Sequence, residues 1–251
     1  MTAPRPQLPA RRLHHAREAT DRASGALANL VVGGSLEKEP GEVSLVVAKV
    51  LDGTLRAKRV KVTEGDVRYW GVDVAQSFVL QRLKSFGETC FWERTGRRPV
   101  SFAMVNYIDA QTCPNGSGGG WHRDSYGSQY KAFAYLTDVE RESQGALGFI
   151  RASNSPLFRL PSLAYRVLSG GNRYRDGTIS AIMRIGFVCQ PVLLKAGIPF
   201  FLNTSLIHRG LPIAEGHRIM AALYMYHNIP EEFASFLGSP EAGECAEASA
   251  E

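Results

Sequence analysis

The residues best suited to chemistry are concentrated in residues 118–125, which read Gly-Gly-Gly-Trp-His-Arg-Asp-Ser. In an extended backbone, side chains two positions apart project from the same face, so His122 and Asp124 would point together. An imidazole and a carboxylate on one face are two of the three groups of a 2-His-1-carboxylate site for non-haem iron(II). The pair alone also fits a turn in which Asp124 caps a backbone group and His122 is half exposed.

A second histidine and an arginine follow about 90 residues later. An apolar run ends at His208, a loop with Gly and Pro follows, and Arg218 opens the apolar segment 219–226. This pattern predicts a strand, a turn and a returning strand. Such a hairpin would deliver His208 as a third ligand and place Arg218 one layer deeper, where a guanidinium fork suits a carboxylate. Singly, each residue is more simply a strand-edge histidine or a surface charge, but the ordered set favours a site.

The chain carries four motifs of a known family. They are Gly-Trp-His-Arg-Asp-Ser at 120–125, Lys-Ala-Phe-Ala-Tyr-Leu-Thr-Asp at 131–138, Gln-Gly-Ala-Leu-Gly-Phe-Ile at 144–150 and His-Arg-Gly at 208–210. Over about residues 100–228 the sequence resembles the bacterial phytanoyl-CoA dioxygenase-like proteins, which belong to the iron(II)/2-oxoglutarate oxygenases. These motifs are specific for that superfamily but not for a substrate.

The resemblance implies a role for each matching residue. By it, His122, Asp124 and His208 hold iron(II), and Arg218 binds the distal carboxylate of the co-substrate 2-oxoglutarate. Some relatives place a hydroxyl residue two positions after the distal histidine, where this chain has Gly210. Lys131 is the residue we expect to compensate. The resemblance further implies that O2 is consumed, that succinate and CO2 are released, and that a small molecule is hydroxylated, with desaturation or ring closure as other outcomes.

Three rival functions are compatible with parts of the pattern. Two histidines and an aspartate also suit zinc, so a zinc hydrolase is one alternative. A catalytically silent jelly-roll module that binds an acidic glycan or another anion is a second. The third is a nucleic-acid demethylase of the same superfamily. Those enzymes typically have a second arginine six residues after the co-substrate arginine, and Tyr224 stands there; we therefore do not expect a nucleic-acid partner.

Composition limits the class of protein. The chain has 251 residues, 44% hydrophobic and 21% charged, which is ordinary for a water-soluble domain. No apolar run approaches the roughly 18 residues of a spanning helix, and the N-terminus lacks the apolar core of a secretory signal. Four cysteines, at 90, 113, 189 and 245, form no Cys-x-x-Cys pair. We therefore expect a cytoplasmic protein without a membrane span; its oligomeric state is not predicted.

Charge is distributed unevenly along the chain. The net charge is +5, yet residues 231–251 hold six glutamates and no basic residue, which leaves +11 on the remainder. A basic body attracts anions of several kinds, including small substrates. Residues 151–185 contain six arginines and one acid, Asp176, and their apolar content is too high for simple disorder. We predict a lid that favours an anionic substrate; a structural flap whose arginines face water is the alternative.

The remaining pattern predicts a mainly β protein. Residues 43–50 and 55–62 are expected to be strands joined by a hairpin at Asp52-Gly53. A scaffold helix is expected to start after Asp73, with Phe91 and Trp92 in the core. Further strands are expected at 99–108, 129–136, 146–150, 187–194, 200–207 and 218–226.

Many short strands, one flanking scaffold helix and a long lid-like insertion at 151–185 indicate a double-stranded β-helix, or jelly roll. We predict one jelly-roll oxygenase domain over 31–236, preceded by a mobile basic tail at 1–30 and followed by a disordered acidic tail at 237–251.

Overall fold

The computed structural model describes residues 29–63, 65–125, 129–155, 158, 171–184, 186–228 and 230–236. The two predicted tails therefore lie almost wholly outside the described residues, as does much of the predicted lid, including Arg159 and Arg166. No helix within the described ranges is long and apolar enough to cross a membrane.

Two antiparallel sheets form the body of the protein. The strands are β1 (Leu30–Val32), β2 (Ala57–Thr63), β3 (Asp66–Val72), β4 (Val100–Asp109), β5 (Tyr130–Tyr135), β6 (Leu147–Ile150), β7 (Cys189–Val192), β8 (Pro199–Asn203), β9 (His208–Gly210) and β10 (His217–Tyr226). The larger sheet has the order β1-β8-β5-β10-β4-β3-β2 and the smaller has β7-β6-β9. One apolar cluster joins Phe133 and Met220 of the larger sheet to Phe149 of the smaller, so the two sheets share a core. The mainly β prediction is confirmed.

The predicted scaffold helix is present. Helix α2 (Phe78–Thr95) packs Leu80 and Leu83 against Ala132 and Ala134 of β5. The opposite face of β5 contributes Phe133 and Tyr135 to the core between the sheets, which is the two-faced pattern that the sequence predicts. The close approach depends on Gly87, where an added β-carbon would lie 2.8 Å from the Ala132 side chain. This helix therefore supports, from behind, the strand that carries Lys131.

The predicted details of this helix need two corrections. Asp73 does not start it; its carboxylate accepts a hydrogen bond from Ala75 N in a 3-10 turn at Val74–Gln76 that precedes the helix. Phe91 is buried as predicted, but Trp92 is 54% exposed. Successive helical residues point about 100° apart, so only one of these two aromatic side chains can face the sheet.

The predicted hairpin at Asp52-Gly53 is wrong. Residues Glu42–Leu51 form helix α1, whose buried side chains are Val43, Val46 and Val50. These positions are spaced by three and four, which is the helical period, although β-branched residues favour strands. Asp52-Gly53 ends the helix, and Gly53 adopts a φ of 75°. The true partner of β2 is β3, which the sequence analysis did not predict.

The predicted hairpin around His208 is also wrong. Strand β8 ends at Asn203, whose side chain accepts hydrogen bonds from the backbone and hydroxyl of Ser205. After this turn the chain passes to the other sheet, where His208 begins β9 beside β6. β10 then returns to the larger sheet between β4 and β5. His208 and Arg218 are thus delivered from facing sheets.

The described part of the insertion includes helix α3 (Asp176–Arg184), which buries Ile179. A 3-10 helix at Glu231–Phe236 then closes the described chain, and Phe233 stacks on Trp70 with ring centroids 6.0 Å apart. Phe233 also lines the cavity described next.

Candidate metal centre and its cavity

The segment that carries His122 is paired directly with β9. His122 N donates to His208 O at 3.0 Å and His208 N donates to His122 O at 2.9 Å, so the two residues face each other across an antiparallel bridge. Asp124 N donates to Thr204 O, which lies in the turn before β9. The backbone therefore places His208 beside His122 and Asp124, which lie 86 and 84 positions earlier in the sequence.

The three side chains converge on one point. Asp124 Oδ1 lies 3.7 Å from His122 Nε2, and Asp124 Oδ2 lies 3.6 Å from His208 Nε2. One ligand atom from each residue falls within 4.8 Å of the others. His122 Nδ1 and His208 Nδ1 each lie 2.9 Å from a backbone carbonyl, of Gly120 and Leu206 respectively. Those nitrogens carry the protons, so both Nε2 atoms are left to accept a metal ion.

The charge states suit metal binding. Burial, aided by the neighbouring His208, lowers the pKa of His122 to about 3, and burial also lowers the pKa of His208. Burial opposes ionisation of Asp124, but Lys131 and the two imidazoles outweigh it and hold the pKa of this carboxyl below its usual range. At neutral pH the set is therefore two neutral imidazoles and one carboxylate, the forms in which these groups bind a metal.

Lys131 lies against the carboxylate of this set. Its Nζ is 2.8 Å from Asp124 Oδ2 and 3.8 Å from the centroid of the Tyr224 ring. Burial would lower the pKa of Lys131, but Asp124 reverses the direction and raises it. The lysine predicted to bind the co-substrate is thus a buried cation beside the proposed ligands.

Arg218 lies deep in the same region. It is fully buried, with Nη1 donating to Gly145 O and Nη2 donating to Asn106 Oδ1 and Ser117 Oγ, at 2.9 Å for the latter. Its Nε has no hydrogen-bond partner among the described residues. Burial lowers the pKa of this guanidinium. A buried donor in this state is suited to a hydrogen-bond acceptor that binds beside it.

A second arginine belongs to the same network. Asn106 Nδ2 donates to Asp66 Oδ1 at 2.7 Å, and Arg68 donates to Asp66 Oδ2 through Nε and Nη2. In the described part of the chain, Asp66 is the one carboxylate hydrogen bonded to this network. Two guanidinium groups therefore share one negative charge. The sequence analysis missed Arg68 because it missed β3, although Asp66 and Arg68 alternate with the apolar Val67 and Tyr69.

Ser117 occupies the place that a side chain at position 210 would need. A β-carbon added to Gly210 would lie 2.5 Å from Ser117 Oγ and 3.0 Å from the Ser117 backbone nitrogen. Gly116 has a φ of 80°, and a side chain there would collide with the backbone of Leu211, so the loop lies directly on β9. A hydroxyl is thus present beside Arg218, but it comes from a loop 93 residues earlier in the chain. Nothing local in the sequence indicates this.

One cavity of about 250 Å³ joins the proposed ligands to Asn106 and Ser117, and Arg218 lies behind these two residues without lining the cavity itself. Its buried lining includes His208, Asn106, Ser117 and Lys131. The remaining lining is half-buried or exposed and includes His122, Asp124, Arg68, Trp70, Asn172, Arg173, Tyr224 and Phe233. Of the insertion arginines that the structure describes, Arg173 reaches the cavity and donates to the carbonyls of Gly118 and Gly119. The cavity therefore has an apolar aromatic wall and several cations.

Comparison with solved structures identifies the fold. SnoN, an epimerase from nogalamycin biosynthesis in complex with Fe3+, α-ketoglutarate and nogalamycin RO, matches with a TM-score of 0.57 at 17% identity, covering 90% of this chain and 92% of SnoN. HygX from Streptomyces hygroscopicus, with nickel, 2-oxoglutarate and hygromycin B bound, matches with a TM-score of 0.53 at 13% identity, covering 87% of each chain. The chain has the fold of iron- and 2-oxoglutarate-dependent enzymes. The predicted jelly roll is confirmed.

The sequence comparisons add no narrower family. No family model matches the sequence, and no curated protein matches it. The resemblance to iron(II)/2-oxoglutarate oxygenases is therefore confirmed at the level of the fold. The phytanoyl-CoA dioxygenase-like subfamily stays a prediction.

Proposed function

We propose that the protein is an iron(II)- and 2-oxoglutarate-dependent dioxygenase that oxidises a small anionic molecule. The observation that carries this proposal is the convergence of His122, Asp124 and His208 at the wall of a cavity that is also lined by Asn106 and Ser117, the two side chains that hydrogen bond Arg218. Two imidazoles and one carboxylate are the donor set of non-haem iron(II) oxygenases, and they leave positions open for other ligands. Iron(II) held there would supply oxygen activation coupled to the decarboxylation of 2-oxoglutarate to succinate and CO2.

The anionic end of the co-substrate fits the network around Arg218. The unsatisfied Nε of Arg218 and the hydroxyl proton of Ser117 are donors that a carboxylate can satisfy. Among the described residues, Asp66 is the one carboxylate in the network of Arg68 and Arg218, so this corner has an excess positive charge that an anion would neutralise. Lys131, which contacts Asp124, remains the further residue that we propose for co-substrate binding.

Charge balance favours an anionic substrate. The cavity and the network behind it contain four cations and two carboxylates: Arg68, Lys131, Arg173, Arg218, Asp66 and Asp124. An iron dication and a 2-oxoglutarate dianion cancel each other, so two positive charges remain. A carboxylate or phosphate on the substrate would be attracted to them, and the rings of Trp70, Tyr224 and Phe233 offer its apolar part an aromatic surface.

The reaction outcome has two candidates. Hydroxylation is the outcome that we propose, while epimerisation is the second, since SnoN is an epimerase with this fold. HygX and SnoN both bind small natural products, which supports a small-molecule substrate here. Incubation of a metabolite extract with the iron-loaded protein and 2-oxoglutarate distinguishes the outcomes. Hydroxylation adds the mass of one oxygen to a metabolite, whereas epimerisation changes its retention time and leaves its mass unchanged.

The cytoplasm is the compartment that we propose. Cys90, Cys113 and Cys189 are free thiols in the structure, which suits a reducing environment.

The central test measures oxygen-dependent succinate formation from 2-oxoglutarate with added iron(II). We expect turnover and metal content to be lost in His208→Ala. His217→Ala is the matched control, because His217 lies near Arg218 but stacks on Tyr107 instead of joining the ligand set. Normal metal content and turnover in His208→Ala would make the assigned triad wrong. A silent binding module would give no succinate, and a zinc hydrolase would work without oxygen.

A further inference from the structure

Arg123 lies in the sequence between the proposed ligands His122 and Asp124, and it is one of the most deeply buried large side chains. It is only 1% exposed, although it is a charged residue. Because neighbouring side chains of an extended segment point to opposite faces, Arg123 points away from the cavity that His122 and Asp124 share. It does not line that cavity. Burial of a guanidinium costs free energy unless hydrogen bonds replace those it made to water.

The guanidinium connects three separate segments. Nε donates to the Tyr174 hydroxyl at 2.9 Å, Nη1 donates to Ser205 O, and Nη2 donates to Ser153 O. Its Cζ lies 5.6 Å from the centroid of the Phe158 ring and 6.0 Å from that of Tyr174. The planar fork with its five N–H groups can satisfy acceptors in different directions, which a lysine ammonium on a single stem cannot reproduce.

These acceptors lie in the segments that set the position of His208. Ser205 belongs to the turn at residues 204–207, which leads directly into β9. Ser153 holds the other side of this turn, because its hydroxyl accepts a hydrogen bond from Ile207 N at 2.8 Å. Arg123 therefore contacts the turn directly through Ser205 and indirectly through Ser153.

Tyr174 lies at the edge of segment 121–124 that faces away from β9. Its backbone nitrogen donates to Trp121 O at 2.8 Å, and the neighbouring Asn172 exchanges hydrogen bonds with the Arg123 backbone. The segment 121–124 is thus held between β9 on one side and residues 172–174 on the other. The Arg123 side chain hydrogen bonds both sides, through Ser205 and Tyr174, on the face of the segment opposite the cavity.

We propose that Arg123 is a positioning residue that fixes the separation of His208 from His122 and Asp124 before the metal binds. The inference rests on the proposed function, since it assumes that these residues are the ligands. A metal site binds more tightly when its ligands are already held in place, and loss of supporting contacts typically weakens metal binding by about 10- to 100-fold. Arg123 would act through the turn at 204–207 and would touch neither metal nor substrate.

The test compares Arg123→Lys with the wild-type protein. Co(II) is titrated into metal-free protein, and its d–d absorption reports both affinity and coordination geometry. We expect Co(II) to bind Arg123→Lys about 10- to 100-fold more weakly, with an altered spectrum. In the metal-free variant, hydrogen exchange at the His208 amide should be faster. Its hydrogen bond to His122 O should open more often, because the turn before β9 has lost its contact with the Arg123 guanidinium. Tyr174→Phe removes one bond to the fork and should give a smaller change in the same direction.

Arg82→Lys is the matched control for lost packing. Arg82 joins α1 to α2 through Glu42 and the Leu36 carbonyl and does not line the cavity. This variant should lose stability while its Co(II) affinity and spectrum stay as in the wild type.

The outcomes separate the inference from the function beneath it. If Arg123→Lys is less stable but binds Co(II) with wild-type affinity and spectrum, Arg123 is structural only and the inference is wrong. If Arg123→Lys does not fold, Tyr174→Phe decides in the same way: a weakened, spectrally altered site supports the proposal and an unchanged one overturns it. If the wild-type protein binds no Co(II), the proposed function itself fails.

Discussion

The hydroxyl of Ser117 allows a quantitative test of the co-substrate site. Ser117→Ala removes the group that accepts from Arg218 Nη2 at 2.9 Å and that would donate its proton to the bound carboxylate. A hydrogen bond to a charged partner contributes roughly 1.5–3 kcal/mol. Since about 1.4 kcal/mol corresponds to a factor of ten in affinity, 2-oxoglutarate should bind about 10- to 150-fold more weakly. Arg218 keeps its bonds to Gly145 and Asn106, so the fold should be retained.

The reciprocal change at Gly210 tests the geometry. Gly210→Ser in the wild-type background would place a β-carbon 2.5 Å from Ser117 Oγ, and overpacking of this kind typically costs about 1–3 kcal/mol of stability. In the double variant with Ser117→Ala, the contact with the hydroxyl oxygen disappears, the 3.0 Å approach to the backbone nitrogen of residue 117 remains, and position 210 offers a hydroxyl of its own. We therefore expect the double variant to bind 2-oxoglutarate more tightly than Ser117→Ala alone, a non-additive result that marks two residues in contact.

The assay is an anaerobic titration of the iron(II)-loaded protein with 2-oxoglutarate, followed by the charge-transfer absorbance of the complex. Ser101→Ala is the matched control, because its hydroxyl bonds Glu88 and does not line the metal cavity. Wild-type 2-oxoglutarate affinity in Ser117→Ala would refute the reasoning, as would a double variant no better than the single one.

Three further predictions concern the arginines and one ion pair. Arg218→Lys keeps the charge but loses the fork, so the same titration should show 2-oxoglutarate binding between wild type and Arg218→Ala. Arg173→Ala should raise the KM for the identified substrate without changing uncoupled 2-oxoglutarate turnover, unlike Arg175→Ala, which lies outside the cavity lining. The bond from Arg82 lowers the pKa of Glu42 from 4.5 to about 2. Its stabilisation is thus present above pH 4.5 and lost as pH falls toward 2, and urea unfolding of Glu42→Gln should show a flatter acid dependence.

Local sequence pattern was sufficient for the parts of the fold with a single clear period. The alternation in β5 predicted both its faces, and the i, i+2 spacing of His122 and Asp124 predicted their common direction. Sequence pattern predicted the wrong element where residue spacing and residue type disagree. In α1 the spacing of Val43, Val46 and Val50 is helical while their β-branching favours strands, and burial against α2 decides for the helix.

The remainder of the site could not be predicted because it depends on contacts between distant segments. The motif was sufficient to name His208, but its placement on the second sheet depends on the turn after Asn203. Ser117 lies beside Gly210 only because a glycine-rich loop folds onto β9. Arg68 becomes relevant only once β3 is paired with β4 beside Asn106. Each of these contacts is created by strand order, which no window of neighbouring residues records.

The two ends of the cavity are coupled by charge. A metal dication that enters alone adds to a region where four cations already face two carboxylates, and a 2-oxoglutarate dianion removes that excess. The dianion alone would in turn lack the metal as a partner beside Asp124. Under the proposed function each would therefore favour the binding of the other, and thermodynamic linkage requires the two enhancements to be equal. The buried cations at Arg218 and Lys131 are costly to bury, and under the same proposal they would make the cavity selective for a metal that binds together with an anion.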